Sequence, residues 1–199
     1  MLPQQVVIIG AALIFLGSLS YIRDTLRGKN KPNRVTWLMW GISPLVGAAI
    51  AWSEGATLWE GLPIFMSGFI PILILTSTFL NKQAYWKLTI FDYACGFFSI
   101  LALVFWLFAD QPAVAVLLAI TGDVIAGLPT IRKSWIDPKS ESLTLYFLGG
   151  IDKVLGLLIL QSWAFIYSGF LLAVLAQNII IICFVLFHKP KARLVDKNA

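Results

Sequence analysis

Long apolar runs alternate with short polar connections along this chain, and seven of the runs come close to the roughly 20 residues a helix needs to cross about 30 Å of hydrocarbon. They cover 4–22, 34–53, 60–80, 89–108, 113–131, 142–160 and 163–187. The pattern predicts an all-α integral membrane fold with seven transmembrane helices. The polar connections then sort by sign. Arg23, Arg27, Lys29, Lys31 and Arg34 lie in or beside the first, Lys82 and Lys87 in the third, Arg132, Lys133 and Lys139 in the fifth, and Lys189, Lys191, Arg193 and Lys197 in the tail. The second, fourth and sixth connections hold no lysine or arginine, only Glu54, Glu60 at a helix edge, and Asp110. Because basic loops stay on the cytoplasmic side, the amino terminus is expected outside and the carboxyl terminus in the cytoplasm.

Composition supports a membrane chain. Of 199 residues, 59% are hydrophobic and 13% charged, and a soluble domain of that length could not bury so much apolar surface. The net charge of +5 is spread over short loops and the tail, where anionic headgroups are the nearer partner, so nucleic acid is set aside. Cys95 and Cys183 fall inside apolar runs and imply neither a disulfide framework nor a metal site. The first run lacks a basic leader and is expected to remain as a helix rather than to be cleaved. The eight tryptophans fall near helix ends, with Trp37, Trp40, Trp86 and Trp135 toward the basic side and Trp52, Trp59, Trp106 and Trp163 toward the other. Their expected role is an aromatic belt at the two interfaces.

An internal duplication emerges when the runs are compared. Tyr21 to Thr25 matches Thr130 to Ser134, Val35 to Gly41 matches Leu143 to Gly149, and Met66-Ser67-Gly68-Phe69 matches Tyr167-Ser168-Gly169-Phe170, in preserved order. Helices one to three thus match helices five to seven, with the fourth returning the chain so that both triplets start on the same side. The expected organisation is a first repeat over 1–81, a linker helix over 82–111, and a second repeat with its basic tail over 112–199. Parallel repeats of this kind hold their substrate near the bilayer midplane, between the repeats.

Leu128-Pro129-Thr130-Ile131, then Lys133-Ser134, then Ser140-Glu141-Ser142-Leu143 resemble the PQ-loop signature, with Thr130 at the usual glutamine position. The 3+1+3 layout with an outside amino terminus, over nearly the whole chain, is similar to the SWEET and PQ-loop transporter superfamily. That resemblance implies alternating access around a midplane site, with substrate contacts on the third helix of each repeat. Gln177 and Asn178 occupy such positions in the seventh helix, and the Ser-Gly-Phe match sets Thr76 and Ser77 opposite them. It also gives Pro129, and with it Pro44, a role as a hinge, since proline removes a backbone donor and kinks a helix.

Three ionisable residues sit in mid-helix: Asp123 in the fifth run, and Asp152 with Lys153 in the sixth. A charge at the bilayer centre costs about 2.5 to 3.5 kcal/mol on insertion scales, so such groups face a cavity or each other. Two readings stay open. Asp123 with Lys153 could couple transport to protons while Asp152 contacts substrate, or the set could be an ion pair that fixes packing. Gln177 and Asn178 could equally bond between helices. Pro63 and Pro71 lie in the third run, Asp92 is expected to be solvated or paired with Lys87, and His188 to be a surface residue.

The sequence contains no phosphate loop, metal cluster or nucleophile with an available histidine, so an enzyme and a cofactor are not expected. The reading is a transporter of a small polar or charged solute, an amino acid or a sugar, in contact with lipid, with a homo-oligomer left open. Short loops without sorting signals suit a bacterial inner membrane. The rival is a non-transporting receptor or assembly factor on the same scaffold; a retinal protein using Lys153 is disfavoured by its place in the sixth helix.

Overall fold

The computed structural model describes residues 3–81, 86–108 and 110–187. Among them lie seven α-helices and no strand: α1 (Val7–Leu26), α2 (Arg34–Ser53), α3 (Leu58–Leu80), α4 (Ile90–Trp106), α5 (Pro112–Ile136), α6 (Leu143–Ile159) and α7 (Phe165–Phe187). Five of them, α1 with the short turn before it, α2, α3, α5 and α7, are long and apolar enough to cross a membrane. The other two, α4 and α6, have 17 residues each. At about 1.5 Å per residue that is about 25 Å, somewhat less than the hydrocarbon core. The protein therefore has the make-up of an integral membrane protein, with large apolar side chains such as Ile90, Phe97, Phe108 and Phe187 turned outward.

The helix starts follow from local chemistry. Asn33 caps α2 by accepting from the N–H groups of Val35 and Thr36 at 3.1 and 3.2 Å. Thr57 and Glu60 form a reciprocal capping box at the start of α3. Thr89 donates its N–H and its hydroxyl to Asp92 at the start of α4, and Pro112 opens α5, where its missing N–H is no loss. Asp92 is buried and also accepts from Asn33 at 2.6 Å, rather than being solvated or held by Lys87 as the sequence suggested. One residue thus caps α2 and fastens α4 to it.

The α3 helix packs on both α1 and α2, and α7 on both α5 and α6. Across the molecule α1 packs on α6 and α2 on α5, while α4 lies against α5 and, less closely, α2. The interior is split at mid-depth. Toward the first and fifth connections, Tyr21, Trp37, Trp40, Ile70, Tyr146 and Ile181 belong to one core. Toward the second and sixth, Ala48, Ile64, Val116, Leu157, Phe170 and Leu171 belong to another.

The tryptophan expectation is corrected here. Trp37 and Trp40 are 2% and 9% exposed, and they meet edge to face with ring centroids 5.4 Å apart. Their distance from the helix end suits an interface, yet the face of α2 that carries them turns inward. Trp135, 48% exposed, remains at the surface. Lys133, expected in a loop, is fully buried because α5 continues to Ile136. His188 and the basic tail lie outside the described residues, as does Lys82.

Candidate functional site

A cavity lies against the first of the two cores, with Ile14, Trp37, Trp40, Met66, Ile70, Leu145 and Tyr146 on its wall, and has about 510 Å³ of empty space, counting the part open to solvent. Every helix except α4 contributes to its wall. From α5 comes Asp123, from α6 Tyr146 and Lys153, from α7 Gln177 and Asn178, and from α2 Trp37, Trp40 and Pro44. The wall is mostly apolar, with a few convergent polar groups, which is the usual character of a small-molecule site.

The polar groups are tightly arranged. Gln177 donates its amide N–H to Asp123 Oδ2 at 2.7 Å, leaving Asp123 Oδ1 buried without a hydrogen-bond partner among the described residues. Trp40 donates its indole N–H to the Asp123 carbonyl at 3.2 Å, so α2 holds the backbone of α5 at the point where the carboxylate projects. Gly127 makes room for the Gln177 amide: a Cβ there would lie 2.1 Å from Gln177 Oε1. The Trp37 ring lies beside Tyr21, with centroids 5.2 Å apart.

Lys153 is wholly buried, yet it is not a free charge. Its ammonium group donates to Asp152 Oδ2 and, at 3.0 Å, to the carbonyl of Pro63 in α3. Asp152 turns away from the cavity toward α1, where its Oδ1 would lie 2.7 Å from a Cβ on Gly10. The pair is therefore neutral as a unit and joins α6 to both α1 and α3. That arrangement agrees with the cost of burying either charge alone.

Of the residues singled out in the sequence, Asp123, Lys153, Gln177, Asn178 and Pro44 come together on the cavity wall. Asp152 stands behind Lys153. Thr76 is exposed on the outer face of α3 and donates its hydroxyl to the Ile72 carbonyl of its own helix. Ser77 is buried and bonded to the Ile74 carbonyl, away from the cavity. Pro129 is buried within α5, which runs on unbroken beyond it, and it does not line the cavity.

A second polar cluster was not anticipated. Glu141 accepts the hydroxyls of Tyr21 at 3.1 Å and Tyr146 at 2.8 Å through one oxygen, and forms an ion pair with Lys133 through the other. Lys133 also donates to the carbonyl of Lys31 at 2.6 Å and lies 5.8 Å from the centroid of the Trp86 ring. Both charged side chains are fully buried. The only signal for it in the sequence was a tyrosine near the end of α1 and another near the start of α6, beside charges that looked like loop residues.

At the opposite end, Glu60 accepts from the backbone N–H of Gln161 at 3.0 Å, and Tyr167 donates its hydroxyl to the Glu54 carbonyl at 2.8 Å. Comparison with protein-family models, with curated proteins and with solved structures finds no match.

Proposed function

We propose that the chain is a membrane carrier for a small solute, built as two parallel three-helix units with α4 between them and its amino terminus outside, as in the SWEET and PQ-loop transporters it resembles. The observation that carries the reading is the cavity itself, at mid-depth, walled by α1, α2 and α3 on one side and α5, α6 and α7 on the other. The contacts support it. Exchanging α1, α2 and α3 for α5, α6 and α7 turns the α1–α6 contact into the α5–α2 contact, and each triplet keeps its third helix against the other two.

The cavity wall is compatible with the same exchange. Matching α2 to α6 from their first residues, Arg34 and Leu143, moves the register one residue from the sequence match of Val35 with Leu143 and sets Trp37 opposite Tyr146, Trp40 opposite Gly149 and Pro44 opposite Lys153 rather than Asp152. Matching α3 to α7 from Leu58 and Phe165 sets Ile70 opposite Gln177 and Pro71 opposite Asn178. The Tyr21 and Thr130 match sets Ile14 opposite Asp123. Every residue of these six pairs lines the cavity. Under this matching Thr76 and Ser77 are not the counterparts of Gln177 and Asn178. The Ser-Gly-Phe match joins the tenth residue of α3 to the fourth of α7, at different depths.

Alternating access would require the two triplets to separate first at one end and then at the other. Each end is held across the seam by a buried carboxylate. Glu141 with Tyr21 and Lys133 with the Lys31 carbonyl tie the basic end, and Glu60 with the Gln161 N–H ties the other. We assign these two groups as the gates, with Pro44 as the hinge on the cavity wall and Asp123 as the site of any coupled proton. A single cysteine at Ser67, on the cavity wall, in a Cys95→Ala, Cys183→Ala background tests the cycle without a known substrate. A carrier exposes that thiol to an impermeant maleimide from either side of the membrane. Labelling from one side alone would favour a receptor on the same scaffold.

A further inference from the structure

The six matched pairs have unequal chemistry, and the inequality identifies the ligand class. On the wall from the first triplet stand Ile14, Trp37, Trp40, Pro44, Ile70 and Pro71; none bears a charge or an amide side chain. Facing them from the second triplet stand Asp123, Tyr146, Gly149, Lys153, Gln177 and Asn178, five of which carry a polar side chain. Leu145 and Val174 add apolar surface to the second side and Ser67 a hydroxyl to the first, but the charged and amide groups lie on one side only, which fits a molecule with two unlike ends and fits poorly a solute ringed by hydroxyls.

Charge narrows the choice. Lys153 is spent on Asp152 and the Pro63 carbonyl, so the polar wall offers no free cation to an anionic ligand. Asp123 is 1% exposed, and its Oδ1 has no partner among the described residues. A buried acceptor left unmatched is costly, and a charged donor would satisfy it best. The Asn178 side chain, on the same wall, makes no hydrogen bond among the described residues, and its amide oxygen is a further acceptor for an N–H group. Trp37 and Trp40 line the cavity and supply aromatic rings for the apolar end.

We infer that the cavity binds a monovalent primary amine carrying an apolar or aromatic body, its ammonium on Asp123 Oδ1 and Asn178 and its body against Trp37, Trp40 and Ile70. The inference rests on the cavity being a ligand site, as proposed above, but not on transport. Phenethylamine, phenethyl alcohol and phenylacetate share one ring and differ in the head, so they serve as probes.

The test is thermal unfolding of the full-length protein in detergent with each probe at millimolar concentration, since a ligand of the folded state raises its melting temperature. Phenethylamine is expected to stabilise the wild type, with the alcohol and phenylacetate giving no shift. Asp123→Asn should weaken the amine by about tenfold to a hundredfold, the worth of a charge-assisted hydrogen bond. Thr121→Ala, whose exposed hydroxyl bonds only the Leu117 carbonyl of its own helix, should leave it unchanged. Equal shifts from all three probes, a preference for phenylacetate, an unchanged amine shift in folded Asp123→Asn, or no shift from the amine would each overturn the inference. Counterflow of labelled phenethylamine in proteoliposomes separates the two claims. Binding without counterflow leaves the amine site standing and removes the carrier, whereas counterflow of another solute by protein that ignores the amine does the reverse.

Discussion

Replacing Glu141 by glutamine removes one charge from the buried cluster while keeping an oxygen for the hydroxyls of Tyr21 and Tyr146. Lys133 is then left with the Lys31 carbonyl and the Trp86 ring, but with no anion. Breaking a buried ion pair from one side costs about 3 to 5 kcal/mol, because the remaining charge stays desolvated. We expect Glu141→Gln to fall in the lower part of that range, since the Lys31 carbonyl remains. Lys133→Met should cost less, about 1.5 to 3 kcal/mol, because Glu141 keeps two hydroxyl donors. The double variant holds no buried charge and should lie within about 2 kcal/mol of wild type, as neutral replacements of buried pairs often do. Folding stability can be followed by tryptophan fluorescence as sodium dodecyl sulfate is added to mixed micelles, and the four proteins form a double-mutant cycle. Where unfolding is irreversible, half-lives at one temperature give the same ranking. A double variant that loses the sum of the two single losses would refute the argument, because it would mean that the two charges do not compensate each other.

At the α1–α6 contact, a Cβ on Gly10 would sit 3.0 Å from the Cα of Asp152. Gly10→Ala must therefore move backbone and should lower stability by about 1 to 3 kcal/mol in the same titration; an unchanged midpoint would mean the helices are not closely seated there. Asn33→Ala removes the cap of α2 and the donor to Asp92 together, for about 1 to 3 kcal/mol, and hydrogen exchange should quicken first at the starts of α2 and α4. Thr76→Ala should change stability by no more than about 0.5 kcal/mol and leave ligand binding intact, since its hydroxyl serves only its own helix. Loss of binding in that variant would return Thr76 to the site. Glu60→Gln, by contrast, should loosen the end opposite Glu141 and speed maleimide labelling at Ser67→Cys from that side; unchanged labelling would remove Glu60 as a gate.

Much of the candidate site could be read before folding because charge is conspicuous in an apolar helix. Asp123, Lys153, Gln177 and Asn178 stand out from their neighbours by chemistry alone, and the expense of placing them in hydrocarbon leads to a cavity or a partner. The aromatic wall was hidden for the opposite reason. Trp37 and Trp40 are common residues for a helix end, and nothing in their spacing says whether their face of α2 meets lipid or α5. Lys133 and Glu141 were hidden by the length of α5, whose last turns carry a basic residue inward. Register was the third obstacle. Three identical residues, Ser-Gly-Phe, matched Ser67 to Ser168, yet the helix starts align α3 and α7 at a different depth, and that shift replaces Thr76 and Ser77 with Ile70 and Pro71.

The chain by itself determined that the fold would be helical and rich in membrane-competent segments, because apolar run length and loop charge are properties of local sequence. It also marked the ionisable groups that must be sheltered. Only the tertiary structure decided which of them share a wall, that Lys153 is neutralised by Asp152 while Asp123 keeps an open oxygen, and that the facing wall is aromatic. Those outcomes depend on the rotation and depth of each helix against its neighbours, and packing between helices sets both.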